Sequence, residues 1–350
     1  MKNGNVQVGV VGLGIGRWHI KSYGEVPDAK VVALCDVDAK RLKEVSEQYG
    51  ITRTYTDYRA LCEDETIDAV SVCVPNALHA PIAVYALEHN KHVLCEKPLA
   101  DTVAHGQEIL LSARKAAKRS KTKAMVAMKL RYSREAQYIR GQVEAKKLGY
   151  IYYGFSTYLR DLSGIPGMGG WFTWKAMSGG GALIDNGVHL LDLTWYLMGC
   201  PEPVMAFGMT STRFAPVGSF NKKRVKELGA GSFDVDDFGT GLIKCMNGSC
   251  IFLENGWSTF VEDGTCSVRV LGTEGGATLW PFAVLGEKDG KCVSRTPDVE
   301  TLPEENQFAH FIRCIVEDQE PGSSIQQGLT VLRMLDGLYQ SDIRGDAIVL

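Results

Sequence analysis

The most constraining stretch of this chain lies near its start. Val-Gly-Val-Val-Gly12-Leu-Gly14-Ile-Gly16-Arg17 leads from a β-branched run straight into a helical pattern. Glycines are required where a backbone must turn sharply and approach a pyrophosphate with no Cβ in the way. The helix that follows then turns its free N–H groups and positive dipole end toward the phosphates. The spacing is G-x-G-x-G, one residue short of G-x-G-x-x-G, so the turn alone specifies little. Asp36 closes the second β-branched run, 24 positions after Gly12, and supplies the carboxylate expected to hold the adenosine ribose hydroxyls. Strand, glycine loop, helix, strand and acid in this order predict a dinucleotide site built on Gly12, Gly14, Gly16 and Asp36. A 2′-phosphate ~4 Å from that carboxylate would cost about 4 kcal/mol at an effective dielectric near 20. Asp38 adds to the repulsion and Arg41 relieves part of it, so NAD is expected over NADP.

The first 130 residues continue the alternation. Strand signals fall at Val6–Val11, Lys30–Cys35, Ala69–Val74, His92–Cys95 and Ala124–Met128, with apolar residues at helical spacing between them. Asp57 reads as the N-cap of a short helix. Buried strands alternating with helices predict a doubly wound parallel sheet, covered on both faces. Beyond a basic stretch, Arg114 to Lys123, the pattern changes. A helix is expected over Arg134–Lys147, and strands follow without intervening helices from Tyr150 onward: Val204–Ser211, Phe238–Met246, Ser249–Trp257 and Ser267–Leu271. Asn247-Gly248 predicts a hairpin with a type I′ turn. Two helices, Glu304–Glu317 and Ile325–Ser341, end the chain. The expected domains are therefore 1–128, a dinucleotide-binding α/β domain, and 129–350, an α+β domain with a mostly antiparallel sheet.

Composition excludes several classes of function. A net charge of −3 gives no reason to expect a nucleic acid, and the Arg114–Lys123 stretch lacks interleaved aromatics, so it reads as the solvated end of a helix. With 45% apolar and 23% charged residues the chain is no disordered segment. No run approaches the ~18 apolar residues of a membrane span, and no leader is evident. Ten cysteines occur singly, several inside apolar runs, without any C-x-x-C pair. This fits a reducing compartment, and a cytoplasmic protein is expected. No pair of histidines stands at ligand spacing, so no metal is expected, and no G-x-S-x-G elbow is present.

Two further segments carry chemistry: Cys-Glu96-Lys97-Pro98-Leu, directly after the fifth strand, and Ser-Gly-Gly-Gly181-Ala-Leu-Ile-Asp185-Asn-Gly-Val-His189-Leu-Leu-Asp192. With the glycine loop, and with Cys73-Val74-Pro75-Asn76-Ala-Leu-His79, they resemble the glucose–fructose oxidoreductase / inositol dehydrogenase / MocA (Gfo/Idh/MocA) family of NAD(P)-dependent sugar and polyol oxidoreductases. The similarity covers nearly the whole chain. It implies a large open sheet in the second domain, whose face commonly joins subunits, so a homodimer or homotetramer is expected. It implies that Lys97, Asp185 and His189 line the reacting end of the substrate, and that the Lys97-Pro98 bond is cis. It also implies cofactor contacts from Ile15, Val37, Arg41, Val74, Pro75, Asn76, His79, Glu96 and Lys129. Two departures stand out: the shortened glycine loop, and Lys129 where many members carry Asn or His.

The residues make chemical sense on their own. Asp185 and His189, four apart, share one face of a helix, so the carboxylate can orient the imidazole and support its protonated form. Oxidising a secondary alcohol needs a base for the hydroxyl proton while hydride leaves for the nicotinamide. Histidine at a pKa of ~6.5 suits that task, whereas lysine at ~10.4 would have to fall about three units, roughly 4 kcal/mol. His189 is thus read as base and acid, Asp185 as orienting it or the substrate, and Lys97 as the cation that holds the hydroxyl oxygen. Lys97 as the base is the open alternative. For substrate, the expected contacts are Arg131, Tyr132, Arg160, Trp171, Trp174 and Lys175, since sugars stack apolar faces on aromatic rings and accept hydrogen bonds from Arg and Lys. A second loop, Ala215–Asp234, carries Lys222, Lys223, Arg224 and Lys226, read as solvated. The leading function is a reversible NAD-dependent dehydrogenase acting on a ring hydroxyl of a sugar, glycoside or cyclitol. The alternatives are an NAD-retaining enzyme that cleaves glycosides through transient C3 oxidation and elimination, and a non-catalytic NAD-binding regulator.

Overall fold

In the computed structural model, which describes residues 4–162, 170–212, 233–302 and 304–350, Val6, Val8 and Val10 lie at 0% exposure in the middle of a wholly parallel sheet. Its strands are β1 (Val6–Val11), β2 (Ala29–Cys35), β3 (Thr54–Tyr55), β4 (Ala69–Val72), β5 (His92–Cys95) and β6 (Ala124–Val126), in the order β3-β2-β1-β4-β5-β6. The order reverses between β1 and β4, and ligands of such sheets bind at the carboxyl ends of the strands at that switch. Helices α1 (Gly16–Tyr23), α2 (Ala39–Tyr49), α3 (Tyr58–Glu63), α4 (His79–Glu88) and α5 (Val103–Ser120) alternate with the strands. The expected cap is present: the Asp57 carboxylate accepts from the Arg59 amide, and Asp38 caps α2 in the same way through Lys40 and Arg41. α5 ends where Lys121 turns left-handed. The basic stretch is thus mostly the last turns of α5, and its end is tied down by ion pairs from Lys121 and Lys123 to Asp318, and from Lys123 to Glu320.

The chain divides into two units, Met1–Ala127 with Glu305–Leu329, and Met128–Glu304 with Thr330–Leu350. A single cut near residue 128 therefore misses the return of the later segment. Helix α9 (Gln307–Val316) brings Phe308 edge-on to Trp18, His19 and Tyr23 of α1. Ser323 then bonds Val126 of β6 through both its carbonyl and its hydroxyl. The apolar stripe of α9 announces a helix, but nothing in its sequence says which sheet it covers.

In the second unit, nine strands among the described residues form one open sheet, β14-β13-β12-β11-β7-β10-β9-β8-β15. These are β7 (Ile151–Leu159), β8 (Pro203–Ser211), β9 (Phe238–Cys245), β10 (Cys250–Gly256), β11 (Thr265–Gly272), β12 (Gly276–Leu279), β13 (Ala283–Lys288), β14 (Lys291–Arg295) and β15 (Ile348–Val349). All pairs are antiparallel except β7 with β10. The edge strand β14, exposed throughout, and its neighbour β13 carry too little apolar alternation to be read from the sequence. The β9–β10 hairpin stands where Asn247-Gly248 places it, but with a different turn. Only Gly248 has positive φ (+90°) and its amide donates to the Cys245 carbonyl, the longer form in which a turn is followed by a left-handed glycine. Helix α6 (Arg134–Glu144) stops short of Lys147, and Lys146 is left-handed. Helix α7 (Lys175–Ser178) is a single turn. Helix α8 (Val188–Leu197) packs across β7, β10 and β11, close enough that a Cβ on Gly154 would stand 2.4 Å from the Met198 sulfur. From the long terminal helix α10 (Ile325–Arg344), Leu338 presses on Gly208 and Gly241 in the same manner. On its other face the sheet leaves Met205, Phe207, Met209 and Leu242 exposed. Among the described residues no helix is long and apolar enough to cross a membrane.

Acid stability has one identifiable contributor. Burial pushes His92 on β5 down to about 4, and its Nδ1 accepts a hydrogen bond from the Lys123 amide, which requires an unprotonated nitrogen. The unfolded imidazole takes its proton near 6.5, the folded one only near 4, so the unfolded chain binds more protons between these values. The stability that this confers is complete above pH 6.5 and is lost as pH falls toward 4, by at most about 2 kcal/mol at pH 5. In urea unfolding, the wild type should lose more stability between pH 7 and pH 5 than His92→Gln, by about that amount. Equal losses would exclude His92 as the source.

Candidate functional site

At the end of β1 the backbone runs against that of the segment after β4. Gly12 has φ +89°, and a Cβ there would lie 2.3 Å from the Cys73 carbonyl oxygen, so no other residue fits. Gly16 begins α1 with Val10 packed under it, where a Cβ would stand 2.9 Å away. Over Gly14 nothing lies within 4 Å. Despite the shortened spacing, the three glycines thus divide the work as a dinucleotide loop requires: a tight turn, an open backbone, and close helix–strand packing. Asp36 is buried at the end of β2 and organises this loop. Its Oδ2 accepts from the Leu13 amide at 2.8 Å and its Oδ1 from the Asp38 amide at 2.9 Å. Arg41 reaches Asp36 at 3.2 Å and Asp38 at 3.3 Å. Because Arg41 Nη1 reaches both Asp36 oxygens, at 3.2 and 3.4 Å, the carboxylate's roughly four acceptor positions are all engaged, and a ribose hydroxyl would take the place of the exposed Arg41 guanidinium. Ile15 and Val37, at the ends of β1 and β2, are exposed at 52% and 89%. The same holds for Leu78 in the 3₁₀ turn Asn76–Leu78, an apolar residue at this edge that sequence reasoning missed. Cradle, open backbone and acid fit a dinucleotide.

Val74 and Pro75 are half-buried after β4, while Asn76 and His79 are buried. His79 is turned inward. Its Nδ1 lies 2.8 Å from the Pro98 carbonyl and its Nε2 2.9 Å from the Val74 carbonyl, and burial lowers its pKa. Its side chain is spent on these two carbonyls rather than presented to a cofactor. The Lys97-Pro98 bond is cis, as the resemblance implied, and Lys97 is half-buried between buried neighbours. The Glu96 carboxylate accepts from His19 Nε2 at 2.9 Å and from the Lys97 amide at 3.1 Å. Burial pushes Glu96 up, but the His19 hydrogen bond and the Lys97 charge outweigh it and hold the carboxyl below the usual glutamate range.

In the second unit, Asp185 lies in a π-helical turn, Leu183–Gly187, that runs directly into α8, where His189 is the second residue. The sequence predicts one helical face for the pair, but not the π turn. Such turns recur at functional sites. Asp185 Oδ2 accepts from the indole N–H of Trp257, which is wholly buried, at 3.1 Å. The turn is itself anchored by Asp236, a buried carboxylate that accepts from the amides of Gly181 (2.6 Å) and Leu183 (3.0 Å) and from the Tyr339 hydroxyl (2.6 Å). Burial raises Asp236 above the usual range even against those bonds. Trp257, Asp236 and Tyr339 stand far from Asp185 in sequence, and no local signal marks them.

Of the expected substrate contacts, Arg131 is corrected. It is 1% exposed, and its guanidinium clasps Asp192 through two bonds of 2.8 and 2.6 Å, under the rings of Tyr196 and Trp195. It is a structural ion pair, closed to ligands. Tyr132 is also buried, whereas Lys129 is exposed at the start of the same 3₁₀ turn, Lys129–Tyr132. Arg160 is half-buried, and its carbonyl accepts from Thr259. Trp171 stacks on Phe172 at 4.0 Å, while Trp174 and Lys175 are exposed, with the Lys175 amide held by Asp234. Residues 163–169 between these, and Lys222, Lys223, Arg224 and Lys226, lie outside the described residues. Among the described residues no group of His, Cys, Asp or Glu is arranged to hold a metal.

Comparison with known proteins agrees over both units. Residues 6–123 match the Gfo/Idh/MocA oxidoreductase family with an NAD-binding Rossmann fold, and residues 136–278 match that family's C-terminal domain. A D-glucoside 3-dehydrogenase of Escherichia coli is 28% identical over 100% of this chain and 99% of its own. A putative UDP-kanosamine synthase oxidoreductase subunit of Amycolatopsis mediterranei is 32% identical over 96% of each. A levoglucosan dehydrogenase solved with NADH and levoglucosan superimposes with a TM-score of 0.85 at 23% identity, over 99% of each chain, a likeness of fold.

The anchoring of the π turn can be tested through its glycine. A Cβ on Gly181 would lie 1.8 Å from the Asp236 carbonyl oxygen, whereas one on Gly141, within α6, meets nothing within 4 Å. In urea unfolding Gly181→Ala should cost at least about 3 kcal/mol. Gly141→Ala should instead gain about 0.5–1 kcal/mol by restricting the unfolded chain.

Proposed function

Since the chain belongs to the Gfo/Idh/MocA family of NAD-binding oxidoreductases, we propose that it oxidises a secondary ring hydroxyl of a sugar, glycoside or cyclitol and can run in reverse. The observation that carries the proposal is the Asp185–His189 pair on its anchored π turn, in a chain whose other unit holds an open dinucleotide cradle and a lysine at the end of β5. NAD is the cofactor, and when bound its nicotinamide accepts the hydride. Gly12, Gly14 and Gly16 would receive the pyrophosphate and Asp36 the ribose. His189 takes the hydroxyl proton as the carbonyl forms, and returns it in the reverse direction. Asp185, oriented by the Trp257 indole, favours the protonated imidazole. Lys97 holds the substrate oxygen and stabilises its developing negative charge. Trp174 and Lys175, both exposed, supply an apolar face and a hydrogen-bond donor for the sugar. The glucoside and levoglucosan enzymes among the relatives support this substrate class.

The test is accumulation of NADH with methyl β-D-glucoside, levoglucosan and myo-inositol. Lys97→Ala and His189→Ala should each lower turnover by at least ~100-fold while leaving NAD affinity within about threefold, the size of loss that removal of a general base or an oxyanion-stabilising group produces. Trp257→Phe should cost about tenfold in kcat through a loosened Asp185, a small part of what removing a whole catalytic group costs. Near-normal turnover in both alanine variants removes the assignment, and sugar release without NADH replaces it with the oxidation–elimination cycle.

Assembly is part of the same proposal. Met205, Phe207, Met209 and Leu242 form an apolar sheet face that a monomer would leave wet, and a second copy is the partner that fits it. Light scattering should show a dimer or tetramer, and Phe207→Asp should shift it toward monomer; a wild-type monomer contradicts this. The ten free thiols, none in a disulfide, fit a cytoplasmic protein.

A further inference from the structure

We propose that His19 and His79 are positioning residues that grip the Glu96–Lys97–Pro98 turn from its two sides and so fix where Lys97 presents its ammonium group. The inference rests on the functional reading of Lys97 given above.

On one flank stands His19, in α1 and wholly buried. Its Nε2 is 2.9 Å from Glu96 Oε1. A carboxylate oxygen can only accept, so Nε2 carries the proton. The other nitrogen, Nδ1, has no hydrogen-bond partner among the described residues. The imidazole is flanked by aromatic rings, with those of Trp18, Tyr23 and Phe308 set edge-on at 5.5, 6.5 and 4.8 Å between ring centres. Burying an imidazole with one nitrogen unpaired costs free energy, and among the described residues the bond to Glu96 is the polar interaction that offsets it. Glu96 passes this constraint along, because its second oxygen accepts from the Lys97 amide.

On the other flank stands His79, the first residue of α4, with one ring nitrogen at the Pro98 carbonyl and the other at the Val74 carbonyl. Both partners are acceptors, and a neutral ring has one N–H to offer. The imidazole therefore acts as a spacer with one strong bond, tying the turn after β5 to the segment after β4. Neither histidine faces solvent, and neither has a place in the proton transfer assigned to His189. With its N–H on Nδ1, His79 donates to Pro98, and the two bonds then bracket Lys97 on consecutive sides, at Glu96 and at Pro98. A lysine side chain has four rotatable bonds of its own, so fixing its backbone removes the part of its freedom that it cannot control itself.

Glutamine places an N–H where histidine has Nε2, and asparagine where it has Nδ1, while phenylalanine keeps the ring and removes both. His19→Phe should speed amide exchange in the segment 93–100 at least tenfold, with the β1 amides unchanged. It should lower kcat on methyl β-D-glucoside, levoglucosan or myo-inositol about tenfold or more, with KM for NAD within threefold. His19→Gln should restore both. His79→Asn, which keeps a donor toward Pro98, should retain more turnover than His79→Gln, which keeps one toward Val74. A merely structural histidine would lower the melting temperature without a kcat-against-KM split or rescue by the matching amide. Unchanged exchange in His19→Phe overturns the bracket whatever the activity, and faster exchange with unchanged kcat overturns its role in positioning. If wild type oxidises none of the three probes, or Lys97→Ala stays active, the functional reading falls instead, and the exchange result still decides the bracket.

Discussion

The first unit depends on a steric constraint at Gly12, where the backbone after β1 passes so close to the Cys73 carbonyl that only a hydrogen fits on the α-carbon. That approach brings three strand ends to one point. The Gly12 amide donates to the Cys35 carbonyl and the Leu13 amide to the Asp36 carboxylate, so the acid at the end of β2 is fixed by the same few residues that form the turn. From there the order extends across the sheet. The Glu96 amide bonds the Val72 carbonyl, and His79 joins the segments after β4 and β5. A ligand stretched along these strand ends meets backbone that is set before it arrives, and the ordering cost is met in folding rather than in binding.

The second unit solves a comparable problem with a carboxylate. A π turn widens the helix and leaves amides at its start without intrahelical partners. Asp236 accepts from two of them while Tyr339 donates to it, and Gly181 permits the approach because it has no Cβ to strike the Asp236 backbone. A buried carboxylate is costly alone. Three donors offset that cost, and the result is a rigid start for the segment that carries Asp185 and His189.

Much of this was legible in the sequence because it is written locally. The β-branched runs, the Asp57 cap, the glycine loop and the change from alternating to consecutive strands each depend on neighbours in the chain. The order β3-β2-β1-β4-β5-β6 is not local in this way, because a parallel doubly wound reading admits more than one strand order. What was hidden is written in three dimensions. The return of α9 to the first unit depends on Phe308 finding the α1 aromatics, and the orientation of Asp185 depends on a tryptophan 72 residues away. The π turn has no composition of its own. β14 is exposed throughout, so its pairing with β13 leaves no apolar alternation to read.

Within the motifs, burial sorts residues in a way that side-chain chemistry does not. Arg131 looks like a ligand for sugar hydroxyls, yet its guanidinium is neutralised by Asp192 at 2.6 Å under two aromatic rings, and removing either partner would strand a charge in the interior. Lys129, two residues earlier, stays exposed on the turn that this ion pair holds. The same division recurs at His79, buried beside exposed Leu78, and at His19, buried beside partly exposed Trp18. In each case the residue with the richer hydrogen-bonding chemistry is turned inward, because a polar group with fixed partners locks a loop more specifically than an apolar contact does. The neighbouring residue is thereby set in place at the surface. Lys97 follows from the same logic: Glu96 and Pro98, buried on either side of it, are where the polar anchors attach, and the residue between them is half-buried.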